Sequence, residues 1–351
     1  MKKGVLLITH GSNFLGMGHL VRTVQLNDSL ISRGYKTFIF CNNQPETKLF
    51  FKERSNLYFY SVRSNFSLIN NFLPELSLVI FDCNNTTNEE ISFFKQNNCK
   101  VIVIDDLAAH TQNADLVIDA NRNKRQPFAN ELFGEKYIFL NPEIRKYLKK
   151  KTPSQPVRNI VIVIGGFDYK KFSLSLIKHF MNNFFKSDFE HLRIKVKLPH
   201  KVSGLEDSFF DEILSHQKVN FIRRNRSVLL HKKGKELIIQ FCSIIENLPS
   251  KIKRSDLLIS SGGLTMYEGL TIGTYTIALP QNRSERKVVK RLHQKGFLNK
   301  LYKIGEMPEL KDILSIKRKD FIEFSEKNKV FDGLGCERIL ERIEKLLRYK
   351  E

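Results

Sequence analysis

The stretch Val5-Leu-Leu-Ile-Thr9 is apolar and partly β-branched, and Gly16-Met-Gly18-His19-Leu-Val-Arg22 follows it after a short loop. The first segment reads as a buried strand and the second as a tight turn opening a helix. Outward from this pair the alternation repeats. Residues 37–40, 57–61, 78–81, 101–104 and 116–118 read as further strands, with helix-like segments between them. Strands alternating with helices predict a parallel sheet with helices on both faces. The pattern breaks at Lys149-Lys-Lys-Thr-Pro-Ser-Gln-Pro-Val157, a basic, proline-containing stretch that reads as an interdomain linker. A second series then begins, with strands expected at 160–164, 194–197, 219–222, 237–240, 257–260 and 275–279.

The expected fold is therefore α/β: two Rossmann-like domains, residues 1–150 and 158–351, with parallel sheets facing a cleft. Ligands are expected in that cleft, at the carboxyl ends of the strands. An amphipathic helix at about 336–349 closes the chain, with Ile339, Leu340, Ile343, Leu346 and Leu347 at helical spacing, and its apolar stripe reads as core.

Composition bounds the function. At 351 residues, with 41% hydrophobic content and 28 Phe, the chain can bury two cores. No stretch approaches the ~20 apolar residues of a membrane span, and the N-terminus lacks a signal-peptide pattern, so a cytoplasmic location is expected. Five scattered cysteines without metal-ligand spacing suit a reducing compartment and speak against structural zinc. The net charge of +21 has three readings: nucleic acid, an anionic membrane surface, or solvated lysine-rich faces. The basic residues are spread out and no nucleic-acid motif organises them, so nucleic acid is set aside. Peripheral contact with an anionic membrane stays open, at about 1 kcal/mol per basic residue near the surface. So does the solvated-face reading.

Two motifs can carry chemistry. Gly16 and Gly18 permit a tight turn and close approach of backbone to a ligand, and the helix start offers N–H groups and positive dipole. His19 is the candidate base, since a free imidazole titrates near ~6.5 and can take a proton at neutral pH. The alternative for His19 is a cap or a packing residue. The second motif, Ser261-Gly262-Gly263-Leu-Thr265-Met-Tyr-Glu268, follows the strand at 257–260 and forms an anion cradle suited to a diphosphate. Glu268 stands one turn into the helix, where its carboxylate can accept from ribose hydroxyls; its alternative is a residue favoured by the helix dipole. Gly165-Gly166-Phe-Asp168 ends the strand at 160–164 in a similar turn, with Asp168 either lining the site or capping the next helix.

These segments resemble, in order, the motifs of the UDP-sugar hydrolase of pseudaminic acid biosynthesis. Gly16-x-Gly18-His19-x-x-Arg22, Ile104-Asp105-Asp106-Leu107-Ala108 and Asp115-Leu-Val-Ile-Asp-Ala-Asn121 are followed by Gly165-Gly166-x-Asp168, Ser261-Gly262-Gly263-x-Thr265-x-x-Glu268 and Pro280-x-Asn282. Asp332-Gly333-Leu-Gly335-Cys-Glu-Arg338-Ile339 completes the set and points to the hydrolase branch. That family and its spore-coat polysaccharide relatives are similar in fold to the GT-B glycosyltransferases of cell-wall synthesis. The resemblance implies cleavage of UDP from a diacetamido-trideoxy-altrose, with His19 activating water against the anomeric carbon. It implies nucleotide binding at Ser261, Gly262, Gly263, Thr265 and Glu268, and places Asn282 near sugar or diphosphate. Gly16, Gly18, Arg22, Gly165, Gly166 and Asp168 complete the expected substrate-binding set. No metal and no other cofactor is implied.

The chain departs from the family on the presumed sugar side. Ile8 and His10 stand where the family has an Arg and an Asp, Cys83-Asn84 replaces a His-Tyr pair, and Arg283 replaces a Gln. An additional segment spans about 225–241. Three functions are thus weighed: a UDP-sugar hydrolase, a GT-B glycosyltransferase passing the sugar to a polysaccharide or lipid-linked acceptor, and a non-catalytic sugar-nucleotide-binding protein. The motifs favour the first and the basic charge the second; the third would leave His19 idle. The oligomeric state is left open.

Overall fold

The structure is a computed structural model that describes residues 4–11, 18–51, 54–61, 67–106, 109–121, 129–148, 156–165, 168, 171–198, 220–224 and 227–348. Two compact units divide the chain. The first comprises residues 1–142 and 332–351, the second residues 143–331.

The first unit is built on seven strands: β1 Gly4–Thr9, β2 Thr37–Asn42, β3 Leu57–Tyr60, β4 Leu76–Asp82, β5 Lys100–Ile104, β6 Leu116–Asp119 and β7 Glu131–Phe133. They lie in the order β3-β2-β1-β4-β5-β6-β7, and every pair is parallel. Every residue of β1 is buried, as a central parallel strand covered on both faces requires. The helix α1, Gly18–Ser32, buries Leu20, Leu26 and Leu30 against this sheet. It ends in a Schellman turn at Gly34: Gly34 N–H donates to Ile31 O at 2.8 Å and Tyr35 N–H to Leu30 O at 3.1 Å, with Gly34 at φ 80°.

The second unit holds β8 Asn159–Val163, β9 His191–Lys197, β10 Asn220–Arg224, β11 Ser227–Lys232, β12 Lys235–Cys242, β13 Leu257–Ser260 and β14 Tyr275–Ala278. Their order is β10-β11-β12-β9-β8-β13-β14. Five strands form a parallel block, from β12 to β14, as expected. The remaining two correct the reading of 219–222 as one more parallel strand. There β10 pairs antiparallel with β11, and β11 antiparallel with β12, so residues 227–241 of the additional segment extend the sheet by antiparallel pairing. Strand β11 was missed in the sequence because Lys232-Lys-Gly234-Lys235 looks like surface loop; it is a tight turn, with Lys233 at φ 47° and Gly234 at φ 78°.

In both sheets the strand order reverses once beside the first strand, between β1 and β4 and between β8 and β13. Connections leave such a point in opposite directions, which opens a crevice at the strands' carboxyl ends. His10, Asp82, Gly165 and Ser261 stand at these ends.

The expected domain boundary needs correction. The last helix, α5 Gly335–Arg348, was assigned to the second domain, yet its Cys336, Ile339, Leu340 and Ile343 are buried in the core of the first unit with Val5, Leu7 and Leu30. Burial of such side chains stabilises by about 1.5–3 kcal/mol each, so the stripe joins the core that offers apolar neighbours. The Asp332–Arg338 motif explains how it docks. Arg338 forks onto Asp332 at 2.9 and 2.5 Å and also donates to Lys136 O at 3.0 Å. Gly335 is pressed on backbone: a Cβ there would lie 2.1 Å from Ile138 O. Gly335→Ala is therefore expected to destabilise the first unit by about 1–3 kcal/mol, the scale for overpacking. Chemical denaturation reads it, and an unchanged midpoint would contradict this packing.

Candidate active site

Helix α1 begins at the end of β1, beside β4, because Gly11 tucks under Leu20: a Cβ on Gly11 would meet Leu20 Cδ1 at 2.5 Å. Asn42, ending β2, grips the same residue, with Gly11 N–H donating to Asn42 Oδ1 and Asn42 Nδ2 donating to Gly11 O, both at 2.9 Å. This clamp carries His19 and Arg22, on the first turns of α1, to the carboxyl ends of β4 and β5. There His19 Nδ1 lies 2.6 Å from Asp82 Oδ1. Arg22 is buried; its Nε donates to Asp82 Oδ2 at 2.8 Å, its Nη2 to Asp82 Oδ1 at 2.5 Å, and its Nη1 to Asp105. Asp105 adopts φ 55°, uncommon for a residue with a side chain, and its Oδ1 is buried without a hydrogen-bond partner.

Burial by itself would raise the pKa of Asp82, but Arg22 and His19 outweigh it and hold the carboxyl well below the usual range. Burial would likewise lower that of Arg22, and Asp105 and Asp82 together raise it beyond the ordinary value. Asp82 is thus an anion and accepts only. His19 Nδ1 lies 3.2 Å from the donor Arg22 Nη2 but only 2.6 Å from Asp82 Oδ1, and the shorter contact, to an anion that can only accept, places the hydrogen on Nδ1 and leaves Nε2 as the ring's basic atom. A carboxylate behind Nδ1 and a free lone pair on Nε2 is the arrangement of a general base held in one tautomer.

Gly18 stands exposed, and a Cβ there would meet nothing within 4 Å. Gly16 lies outside the described residues. Asp82 and Asp105, which organise the cluster, were not assigned roles from sequence, although a carboxylate ending a buried strand next to the one before Gly-x-Gly-His was a signal for Asp82.

In the second unit, helix α3, Leu264–Ile272, follows β13 directly. Its N-cap is Gly263, in extended conformation and without a side chain to cap the helix; Met266 N–H turns back onto Gly263 O at 3.1 Å, and the helix start carries the positive end of its dipole. Ser261 is buried and Thr265 half-buried. Glu268 is half-buried, and its Oε2 is shut from solvent without a hydrogen-bond partner. Burial pushes its carboxyl up to about 7. Gly165, at φ 64°, approaches the same turn, and a Cβ on it would lie 3.6 Å from Ser261 Oγ.

Three expected contacts have other partners here. Gly262 N–H, expected at the diphosphate, donates to Glu285 Oε2 at 3.3 Å, and a Cβ on Gly262 would meet Glu285 Cβ at 2.8 Å. Its glycine is required by this close approach. Asn282 caps helix α4, Arg283–Gln294, accepting from Glu285 N–H at 2.9 Å. Asp168 resolves to the capping alternative: it accepts from Phe172 N–H at 2.8 Å and Ser173 N–H at 2.9 Å, at the start of helix α2, Phe172–Phe184. Gly166 lies outside the described residues. Glu285, not singled out from sequence, links these turns by also accepting from Gln281 N–H at 2.8 Å and from the Ser261 hydroxyl.

Among the described residues no group of three or more His, Cys, Asp or Glu side chains could hold a metal ion, and no helix is long and apolar enough to cross a membrane.

No family model matches the chain. It is 24% identical over 297 residues to the uncharacterized protein MJ1062 of Methanocaldococcus jannaschii, a match covering 81% of this chain and 57% of that protein, so the chain spans little more than half of this relative. It is 21% identical over 294 residues to the spore coat polysaccharide biosynthesis protein SpsG of Bacillus subtilis, covering 80% and 78% of the two. Among solved structures it is similar to MurG of Acinetobacter baumannii, with a TM-score of 0.67, 15% identity, and 98% and 100% coverage. The S. aureus MnaA–UDP co-structure matches with a TM-score of 0.56, 13% identity, and 99% and 97% coverage. These likenesses, with the two mostly parallel sheets, give the chain the α/β architecture of the GT-B enzymes.

Proposed function

We propose that the chain is a UDP-sugar hydrolase, releasing UDP from a UDP-linked 2,4-diacetamido-2,4,6-trideoxy-altropyranose type of sugar in nonulosonic (pseudaminic) acid biosynthesis. The nucleotide is assigned to the second unit and the bond-breaking step to the first. The observation that carries the reading is the Asp82-held His19, whose Nε2 lone pair can take a proton from water as the water attacks the anomeric carbon. The ordered motifs support the substrate, as does the UDP bound to the structurally similar MnaA. The α3 N-terminus would receive the departing diphosphate, together with Ser261, Gly263 and Thr265, and Glu268 would accept from the ribose hydroxyls.

Glu268 supplies a test of the nucleotide side. A buried carboxylate oxygen without a partner costs stability, and two ribose hydroxyls would satisfy it. Glu268→Gln is expected to weaken UDP binding by about 1.5–3 kcal/mol, read by calorimetric titration. The same change should stabilise the free protein. Between the ordinary 4.5 and about 7 the folded state holds a proton that the unfolded state has lost, so this group's contribution falls as pH rises through that window. A neutral Gln avoids the loss, worth on the order of 3 kcal/mol above pH 7 and vanishing toward pH 4. Unchanged UDP affinity would move the nucleotide elsewhere.

One observation favours a second reading, a GT-B glycosyltransferase with a polysaccharide or lipid-linked acceptor: the net charge of +21 suits an acceptor at an anionic surface. The 2,4-diacetamido substrate incubated in water alone separates the two. Release of UDP without acceptor is the hydrolase result; release only on adding acceptor is the transferase result.

A further inference from the structure

His10 is one of the positions at which the chain departs from the hydrolase pattern, and the function as derived so far does not use it. It follows β1, immediately before Gly11, whose backbone is gripped from both sides by Asn42. His10 therefore directly precedes a backbone held at both its N–H and its carbonyl. Its ring meets that of His19 edge to face, with centroids 5.0 Å apart and planes at 89°. Asn84, just beyond β4, donates its backbone N–H to His10 Nε2 at 3.3 Å. An Nε2 that accepts carries no hydrogen, so His10 is a neutral ring protonated on Nδ1.

We propose that His10 is a positioning residue for His19. The contacts of Asp82 and Arg22 both hold the Nδ1 edge of the His19 ring and leave the ring's tilt about that edge to its packing neighbours. A perpendicular aromatic neighbour blocks that tilt, because edge-to-face packing is directional and the ring on His10 is itself held by Asn84. Two constraints, one on Nδ1 and one on the ring plane, then aim Nε2 along a single direction. The neutral state of His10 matters as well. With Arg22 already in the cluster, a second cation beside His19 would oppose the imidazolium that forms when His19 takes its proton. The Asn84 N–H holds His10 as the acceptor, and hence neutral.

This inference rests on His19 being the base, and the test separates the two. The full chain, with ¹⁵N-labelled histidine, is compared with His10→Ala and His10→Phe by long-range ¹H–¹⁵N correlation of the imidazoles, and its turnover is followed on UDP-2,4-diacetamido-2,4,6-trideoxy-altropyranose. The parent should show His19 as one tautomer, hydrogen on Nδ1. His10→Ala should keep the hydrogen on Nδ1, which Asp82 holds, but broaden and shift the His19 ring resonances as the ring loses its fixed direction, and lower kcat tenfold to a hundredfold, the scale for misplacing a reacting group by about an ångström, with KM changed less than about threefold. His10→Phe keeps a neutral ring edge against His19, though it gives up the Asn84 hydrogen bond, and should restore the parental His19 ring spectrum and most of kcat, a rescue that mere loss of stability would not give. A His19 spectrum and kcat unaltered by His10→Ala, while His19→Asn abolishes turnover, would overturn the positioning role and leave the base intact. If His19→Asn turns over as the parent does, the base reading fails, and the imidazole spectra alone decide whether His10 orients His19.

Discussion

His19→Asn is expected to fold as the parent does, to bind UDP with the parent's affinity, and to release UDP from the sugar nucleotide roughly two to four orders of magnitude more slowly. The fold should survive because the Asn amide can donate to Asp82 from nearly the place that Nδ1 occupies, so the buried carboxylate keeps a partner in addition to Arg22. The nucleotide should still bind because its assigned contacts lie in the second unit. What the variant lacks is the lone pair of Nε2. Reaction of the parent in ¹⁸O-labelled water sharpens the test. Attack at the anomeric carbon puts the label on the sugar and leaves UDP with its own oxygens, whereas label in UDP means attack at phosphorus and removes His19 from the role proposed. If the parent is silent in water and active once an acceptor hydroxyl is supplied, the same Nε2 would be serving the acceptor. Turnover by His19→Asn at the parental rate excludes it as base in either case.

How far the sequence anticipated this site depends on the kind of signal each residue carries. Strands such as β1, β4 and β13 are continuous apolar runs buried on both faces, so they stand out against their flanks, and the two-sheet α/β architecture follows from their alternation with helices. Strand β11 was hidden because its pairing is antiparallel and its turn is made of lysines and one glycine, a composition shared with solvated loops. The last helix was correctly read as amphipathic, but periodicity records only that one face is buried, not which core buries it. The same limit applies within the site. A motif shows that Gly262, Asn282 and Asp168 matter at their turns, whereas only coordinates show that the first makes room for Glu285 and the other two cap helices. The partners Asp82 and Asp105 lie 63 and 86 residues beyond His19 in the chain, and it is the parallel register of β1, β4 and β5 that brings all three to one end of the sheet.

The largest stability effect in the first unit is expected at Arg22. Arg22→Met preserves much of the side chain's length and apolar stem but removes the guanidinium that pairs with both Asp82 and Asp105. Removing one partner of a buried ionic network typically costs about 3–5 kcal/mol, because the remaining charges stay buried without compensation. The pH dependence distinguishes this cause from simple loss of packing. In the parent, Asp82 titrates below its ordinary 3.8, so the unfolded state binds the proton first; its contribution is complete above about pH 4 and is lost as the pH falls further. In Arg22→Met the sign reverses. Burial of Asp82 is then opposed only by His19 and the more distant Thr23 hydroxyl, so its carboxyl shifts upward and the folded state takes up the proton before the unfolded one does. Both proteins share the pH dependence that Glu268 contributes, so the Arg22 effect is read from the difference between them: the variant should gain on the parent as the pH falls from 7.5 toward 5, and the gap should narrow. Denaturant midpoints of both proteins at pH 7.5, 6 and 5 measure the effect. A pH-independent gap would mean that Arg22 acts through packing alone and that the two carboxylates share their charge with groups other than its guanidinium.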